Sequence, residues 1–299
     1  MYVISGATGN TGKPISLALL QAGKKVRAIG RNKDKLNELA VQGAEVVVGD
    51  LADRELMKKT FTGATAVYAM IPPNFMAADF RAFQNSIAES FALAIEAAGI
   101  KFAVTLSSVG AHLSQKAGVV QGLYDMEQRF NKIIGLNVLH LRPTYFMENL
   151  FGQIGTIKQM GLMGSPIKSD LSFPLVATRD IAEVAARHLI ALDFKGPGNI
   201  QYILGPRNLS YAEIAEILGN AIGKSDLKYM EFPFTEAKRA MISGWGLSES
   251  SADAMNEFMD SINQGLVFSD SRRSAQNTTS TSLETFSKIF AGVYKNSQE

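Results

Sequence analysis

The chain has 299 residues, 46% of them hydrophobic and 19% charged, enough to bury a substantial core in one large domain or two smaller ones. Lys and Arg number 30 against 28 Asp and Glu, a net charge of +2, and no basic run gathers that excess, so composition gives no sign of nucleic-acid binding. Cysteine is absent, which excludes disulfides, thiolate nucleophiles and zinc–sulfur sites; the three histidines (His112, His140, His188) lack metal-ligand spacing, so no metal is expected.

A short apolar strand, Tyr2 to Ile4, runs directly into glycines at 6, 9 and 12 and then into a helix-compatible segment. No basic segment, apolar run and cleavage site of a secretory signal stand before it. No apolar stretch reaches the ~20 residues of a membrane helix. A cytoplasmic protein without a membrane partner is expected. Apolar or β-branched runs at 2–5, 25–30, 44–48, 66–71, 102–107 and 137–142 are predicted strands. Helical patterns fill 13–22, 33–41, 53–61, 79–98 and 124–134, and Gly23, Gly43 and Gly99 stand where C-terminal caps belong. This alternation with nearly all-apolar strands predicts a parallel sheet covered on both faces.

Beyond Pro143 the pattern changes. Residues 151–172 are rich in Gly, Met and Ser and have no clear period; a helix at 179–192 and a strand at 200–204 then return to the earlier pattern. From 209 onward helices dominate, and Ser210…Glu213 and Thr281…Glu284 both have capping-box spacing. The Ser/Thr/Asn-rich stretch 269–282 reads as an exposed loop. The predicted organisation is a nucleotide-binding domain of residues 1–150 and 173–206 and a smaller, mainly helical substrate lobe of 151–172 and 207–299. Trp245, the only tryptophan, stands between glycines in that lobe and reads as a packing anchor.

A strand, a glycine turn and a helix in succession let the backbone approach a diphosphate closely and aim the free N–H groups of a helix N-terminus at its charge. Gly6, Thr8, Gly9, Asn10, Thr11 and Gly12 are the candidate cradle. A Walker A loop is excluded, because its first glycine would fall at Ala7 and its magnesium-binding hydroxyl at Pro14. Folds that prefer NAD carry a carboxylate at the end of the second strand, on the ribose 2′-hydroxyl. Here the chain has Arg31-Asn32-Lys33. A guanidinium there suits a 2′-phosphate through paired charge-assisted hydrogen bonds. NADP(H) is therefore favoured over NAD(H), the alternative being that Arg31 and Lys33 are solvated loop charges.

Gly6-Ala-Thr-Gly-Asn-Thr-Gly12 resembles the signature of extended and atypical short-chain dehydrogenases/reductases. Gly49-Asp50-Leu51, the run Leu141-Arg142-Pro143 to Asn149, and Thr178-Arg179-Asp180-Ile181-Ala182 narrow the resemblance to the NmrA-like family; it continues through Leu204-Gly205-Pro206 and Ser210. The resemblance implies an α/β, Rossmann-like doubly wound parallel sheet, a bound nicotinamide dinucleotide and a cleft between two lobes. It also implies that Asp50 and Leu51 lie beside the adenine, and that Met70, Ile71 and Pro72 run along the other ribose and the pyrophosphate. Ser107 and Ser108 close the fifth strand, where the wider superfamily places a hydroxyl at the site; Ser107 is taken as a cofactor-side residue and Ser108 as a catalytic candidate.

Typical short-chain dehydrogenases pair Tyr with Lys one helical turn later, so that the tyrosine can pass a proton to or from the substrate oxygen. Tyr124 is the only tyrosine in the expected helix, and Gln128 follows it at that spacing. Counting back from Arg142 puts the tyrosine slot near Val119 or Val120. Either way the pair is missing. A quinone, as a strong hydride acceptor, needs that relay less than a ketone, so an oxidoreductase acting on a quinone-like small molecule is the leading expectation. Related NmrA-like proteins include NAD(P)H:quinone reductases. Tyr145, Phe146 and Asn149 are the acceptor-site candidates, with core packing or helix capping as the alternative for Phe146, Met147 and Asn149. His112 is a further residue that could face the cleft. A non-catalytic NADP(H) sensor acting through a protein partner is the second hypothesis; a nucleotide-sugar epimerase needs the Tyr–Lys pair and is disfavoured.

Overall fold

The structure, a computed structural model, describes residues 1–297. Its first half alternates strictly: β1 (Tyr2–Ile4), α1 (Gly12–Gln21), β2 (Val26–Gly30), α2 (Lys33–Val41), β3 (Glu45–Val48) and α3 (Arg54–Phe61). Then come β4 (Ala66–Ala69), α4 (Phe80–Ala98), β5 (Phe102–Leu106), α5 (Gln121–Phe130) and β6 (Asn137–Pro143). The middle of the chain adds β7 (Tyr145–Phe146), α6 (Ile154–Met160), β8 (Leu162–Ser165), β9 (Phe173–Val176), α7 (Thr178–Ala191) and β10 (Asn199–Ile203). The last third holds β11 (Asn208–Leu209), α8 (Tyr211–Ile222), β12 (Lys228–Glu231), α9 (Phe234–Trp245), α10 (Glu249–Asn263) and α11 (Leu283–Asn296).

Seven strands form one sheet in the order β10-β6-β5-β4-β1-β2-β3, every neighbouring pair parallel. This is a doubly wound, Rossmann-like α/β fold. Alternation along each strand decides which side chain meets which helix layer. Tyr2 and Ile4 point to the cluster of α1, α2 and α7 with Ile15, Leu36 and Leu189. Val3 points to the opposite cluster of α3, α4 and α5 with Phe61, Phe91 and Phe130. The strand order reverses between β1 and β4, and the crevice at the carboxyl ends of those two strands is where open α/β sheets bind ligands. Local signals agree with this frame. Asn32, Asp53 and Asp79 cap α2, α3 and α4 with their side chains, and Gly99 ends α4 at φ 62°.

Away from the sheet, α6, α8, α10 and α11 gather around Phe173, Tyr211, Phe286 and Phe290. Two short sheets sit there that the sequence hid, β11-β9-β7 and the parallel pair β8–β12. The predicted capping box at Ser210 is present in full. The one at Thr281 is out of register by one residue: Ser282 caps α11 by accepting from the Thr285 amide. The Thr281 hydroxyl instead donates to Asp180 at 2.5 Å. Helix α5 begins at Gln121, earlier than predicted, because a 3-10 turn over 118–120 leads into it. Trp245 is not the expected anchor, being 61% exposed at the end of α9.

His140 on β6 is fully buried, between the Thr105 hydroxyl at 2.8 Å and the Asn131 amide oxygen at 3.0 Å. Burial, with the Arg142 charge adding to it against Glu127, pushes its pKa down to about 4. The unfolded chain therefore takes up a proton near pH 6.5 that the fold refuses. Stability from this group is complete above that pH and falls as pH drops toward 4, by roughly 3 kcal/mol in all. We expect urea unfolding midpoints of His140→Asn to converge on those of the wild type between pH 7 and pH 4; a constant gap would remove His140 from the acid response.

Candidate functional site

The glycine turn lies at the β1/β4 switch point. It is fixed from both sides: the Ser5 amide donates to the Tyr68 carbonyl at 3.1 Å and the Ala7 amide to the Ile29 carbonyl at 3.1 Å. Gly6 has φ +59°, a conformation that L side chains rarely adopt. A Cβ on Gly12 would stand 2.3 Å from the Gly6 carbonyl oxygen, so α1 starts pressed against the turn. Among the described residues, the amides of Thr8, Asn10 and Gly12 find no acceptor in the chain, and Thr11 makes no side-chain cap. Among the described residues six of the eleven α-helices are capped by an N-terminal side chain; α1 is one of the five without such a cap and presents free N–H groups and the positive end of its dipole. That cradle fits a diphosphate. The Thr11 side chain takes no part, because it is buried and accepts the Tyr68 hydroxyl at 3.1 Å.

Thr8 reaches the end of β2, where its methyl carbon lies 3.4 Å from the Cβ position of Gly30. Arg31 and Lys33 follow, both exposed and neither in an ion pair among the described residues. Lys33 opens α2 beside Asp34, whose carboxylate suits the positive end of the helix dipole. Asp50 is exposed and accepts the Ala52 amide at 2.9 Å. Leu51 and Ile71 are buried in the α3/α4 cluster. Their side chains are therefore part of the core, and what they turn toward the crevice is mainly backbone. Met70 is held through its amide, which donates to the Ser5 hydroxyl at 2.7 Å. Its Cε lies 1.8 Å from where a Gly6 Cβ would be, so the thioether covers the turn. Pro72 is half-buried at the start of the following loop.

Ser107 closes β5 with its side chain turned inward. It is 2% exposed and its hydroxyl donates to Glu127 at 2.5 Å, so its hydrogen is already engaged within the protein. Glu127 in turn takes two hydrogen bonds from Arg142, at 3.0 and 2.6 Å. Burial works to lower the Arg142 pKa, but the Glu127 carboxylate outweighs it and holds the guanidinium above its ordinary value. Arg142 also donates to the Tyr202 hydroxyl at 2.9 Å and to Asp270 at 3.2 Å, and Asp270 lies 3.1 Å from His112. His112 thus belongs to this network, not to an open cleft. Sequence reasoning missed Glu127, Tyr202 and Asp270; the sign was Glu127 itself, a charge on the inward stripe of α5 between Met126 and Phe130.

Tyr124 does not reach the crevice. With Gln128 it lines an outer groove of about 620 Å³ between α4 and α5, among Asn85, Glu89 and Lys132. The alternative slot is apolar: Val120 is buried, and Gly118 lies so close to α10 that a Cβ there would meet the Ala254 carbonyl oxygen at 1.9 Å. Ser108 is half-buried after β5. Tyr145 and Phe146 alternate along β7 and face different ways, Tyr145 toward the α8 and α11 cluster and Phe146 toward Met70 and Leu106. Tyr211 donates its hydroxyl to that of Tyr145 at 3.2 Å, leaving the Tyr145 proton for another acceptor. Burial raises the Tyr145 pKa, so the phenol stays protonated. Asn149 is exposed and caps no helix. Among the described residues no cluster of His, Asp or Glu could hold a metal ion, and no helix is long and apolar enough to cross a membrane.

Comparison with known proteins gives this geometry a context. The model of the NmrA-like family matches residues 2–286. An NAD(P)H azoreductase of Xenophilus azovorans is 29% identical over 258 residues, 86% of this chain and 85% of its own length. The fold is similar to that of an NADPH-dependent quinone oxidoreductase of Escherichia coli solved with NADPH, with a TM-score of 0.79, 21% identity and coverage of 97% and 99% of the two chains. It is equally similar to a Citrobacter triphenylmethane reductase solved with NADP(H), at TM-score 0.78, 21% identity and coverage of 97% and 100%.

Two substitutions separate the cradle from the network. Gly12→Ala should abolish NADPH binding in a calorimetric titration, since its methyl group displaces the turn. Ser107→Ala should lower unfolding stability by about 2 kcal/mol, the scale of a buried hydrogen bond to a charge, and leave NADPH affinity unchanged. Loss of affinity in Ser107→Ala at unchanged stability would return that hydroxyl to the cofactor.

Proposed function

The chain belongs to the NmrA-like family, and from that premise we propose that it is an NADPH-dependent oxidoreductase whose acceptor is a quinone or a similarly conjugated small molecule. The observation that carries the cofactor half is the uncapped N-terminus of α1 facing the end of β2, with Arg31 and Lys33 both exposed and in no ion pair among the described residues. Amides of the turn hold the diphosphate, and Arg31 takes the 2′-phosphate through paired N–H donors. Asp50 occupies the place of the adenine pocket. When bound, NADPH supplies a hydride from the nicotinamide to the acceptor, leaving NADP+ and, from a quinone, a hydroquinone anion that takes its proton from water.

The acceptor class follows from what α5 lacks. No acid stands where the Tyr–Lys pair of dehydrogenases would be, because Tyr124 is on the outer face and the inner slot is valine. A ketone would leave a strongly basic alkoxide without a proton donor, whereas a quinone or an azo group spreads the charge. The contribution of the protein is then proximity and exclusion of alternatives. Tyr145 follows the end of β6 and burial keeps it protonated; in this reading its phenol hydrogen-bonds the acceptor oxygen or nitrogen without giving up its proton. The named activities of the similar reductases, on azo compounds, quinones and triphenylmethane dyes, support this reading of conjugated acceptors.

NADPH absorbance followed with a small panel of quinones and azo dyes should show consumption well above background. Binding of NADPH without consumption across the whole panel would sink the reductase and leave a sensor. Arg31→Ala should weaken NADPH by about tenfold or more and leave NADH nearly unchanged, the signature of a lost charged bond to the extra phosphate. Equal weakening of both would take Arg31 out of the phosphate site.

A further inference from the structure

The segment from Ser269 to Ser280 forms a strap between two anchors, Phe268 stacked on Phe173 at 5.9 Å and Thr281 bound to Asp180. Its one apolar residue, Ala275, is exposed, so the strap is held by hydrogen bonds and charges and not by buried apolar surface. It covers the sheet edge just past β10: the Leu204 amide donates to the Asn277 carbonyl at 2.6 Å, and the Thr279 amide to the Leu204 carbonyl at 2.7 Å. The charged grip on it is at Asp270. Oδ2 of that carboxylate accepts from Arg142 at 3.2 Å and from the Tyr202 hydroxyl, and Oδ1 lies 3.1 Å from His112 Nδ1.

The protons around His112 can be counted. Nδ1 is buried and has no other hydrogen-bonding partner among the described residues. On the far side of the ring, Nε2 lies 3.1 Å from the Ser269 hydroxyl, which itself donates to the Leu266 carbonyl at 2.8 Å. A serine has one proton to give, and a neutral imidazole has one N–H. A neutral ring therefore cannot keep all three contacts: either a lone pair on Nδ1 faces the carboxylate, or Ser269 gives up Leu266. An imidazolium donates from both nitrogens and keeps them all. The charge balance agrees. Glu127 and Asp270 bring two negative charges and Arg142 one positive, while Tyr202 is kept neutral by burial and by Asp270 beside it. Arg273 on the strap turns instead to the Gly205 carbonyl and Asn208, and Arg272 is exposed. Protonated His112 brings the cluster to neutrality.

We infer that the strap is a pH-sensitive closure: protonated His112 locks Asp270 and holds residues 269–280 over the sheet edge, and loss of that proton frees them. Closure takes up a proton, so it is favoured below the range in which imidazole ordinarily titrates, near pH 6.5, and weakens as pH rises through it. This is the opposite direction to the acid response of His140, so the two are separable. An open strap withdraws Asp270 from Arg142 and bares the backbone of Leu204.

Hydrogen exchange of the full chain measures the closure, read by mass spectrometry on peptides covering 269–280 and corrected for the intrinsic exchange rate at each pH. Protection in the strap should fall about tenfold between pH 5.5 and pH 8.0. His112→Gln should remove that slope and give low protection throughout. His112→Lys, which carries a charge at both pH values, should keep more protection at pH 8.0 than the wild type does. Peptides of β5 should stay protected in both variants, which separates an open strap from a chain that fails to fold. A flat wild-type profile, the same slope in His112→Gln, or a strap already unprotected at pH 5.5 would each overturn the inference.

Discussion

The bidentate pair between Glu127 and Arg142 is the constraint on which the site depends. Both side chains are almost wholly buried, at 2% and 5% exposure, where the cost of desolvation makes an ion pair tolerable only if its remaining hydrogen bonds are met. Here they are met by groups from several segments distant in the chain. Ser107 comes from the end of β5, the Ala111 carbonyl from the loop beyond it, Tyr202 from β10 and Asp270 from the segment after α10. Removing one member strands a charge in the interior, which costs several times what a surface pair contributes. The network therefore fixes the carboxyl edge of the sheet and ties the C-terminal third to it in one geometry.

That pair also sets the phase of α5. With Glu127 turned in beside Met126 and Phe130, the 3.6-residue period carries Tyr124 and Gln128 outward, into the groove against α4. The helix that supplies an acid and a cation in typical dehydrogenases here supplies a structural anion. Its inner surface before residue 121 is sealed by α10 against Gly118 and Val120. Loss of the dyad is thus a change in what the helix is for, and not a vacancy waiting for another residue.

Much of the frame was legible because it rests on local rules. The strand, glycine turn and helix at residues 2–21 need φ above zero at Gly6 and no Cβ at Gly12, and only a sequence with those glycines meets both. Asn32, Asp53 and Asp79 cap helices within three residues of themselves. What stayed hidden depends on partners far away in the chain. Ser107 read as a ligand-facing hydroxyl because Glu127 is twenty residues on and nothing local joins them. Leu51 and Ile71 read as cofactor-side residues, but each lies past the end of its strand with its side chain packed among residues of α3 and α4. Strands β7, β8 and β12 are two to four residues long and are made by pairing, not propensity. Thr281 and Ser282 compete for the same cap, and Asp180 settles the register by claiming the Thr281 hydroxyl.

Two latches hold the other wall. Glu148 accepts both the amide and the hydroxyl of Thr178 at the start of α7, and Asp180 two residues along accepts both from Thr281. Between them the Thr178-Arg179-Asp180 motif binds the segment after β7 and the segment before α11 to a helix of the central sheet. Tyr145 lies next to the first latch, with its ring set edge-on to Phe173 at 5.6 Å and its hydroxyl held by Tyr211, which stacks on Tyr229 at 4.5 Å. A phenol packed this way has one orientation and one free proton. On the proposed chemistry that is what the acceptor side needs, since hydride transfer to a conjugated acceptor depends on distance and alignment more than on a strong acid. In the proposed reading, backbone prepares the nucleotide side and packed aromatics the acceptor side.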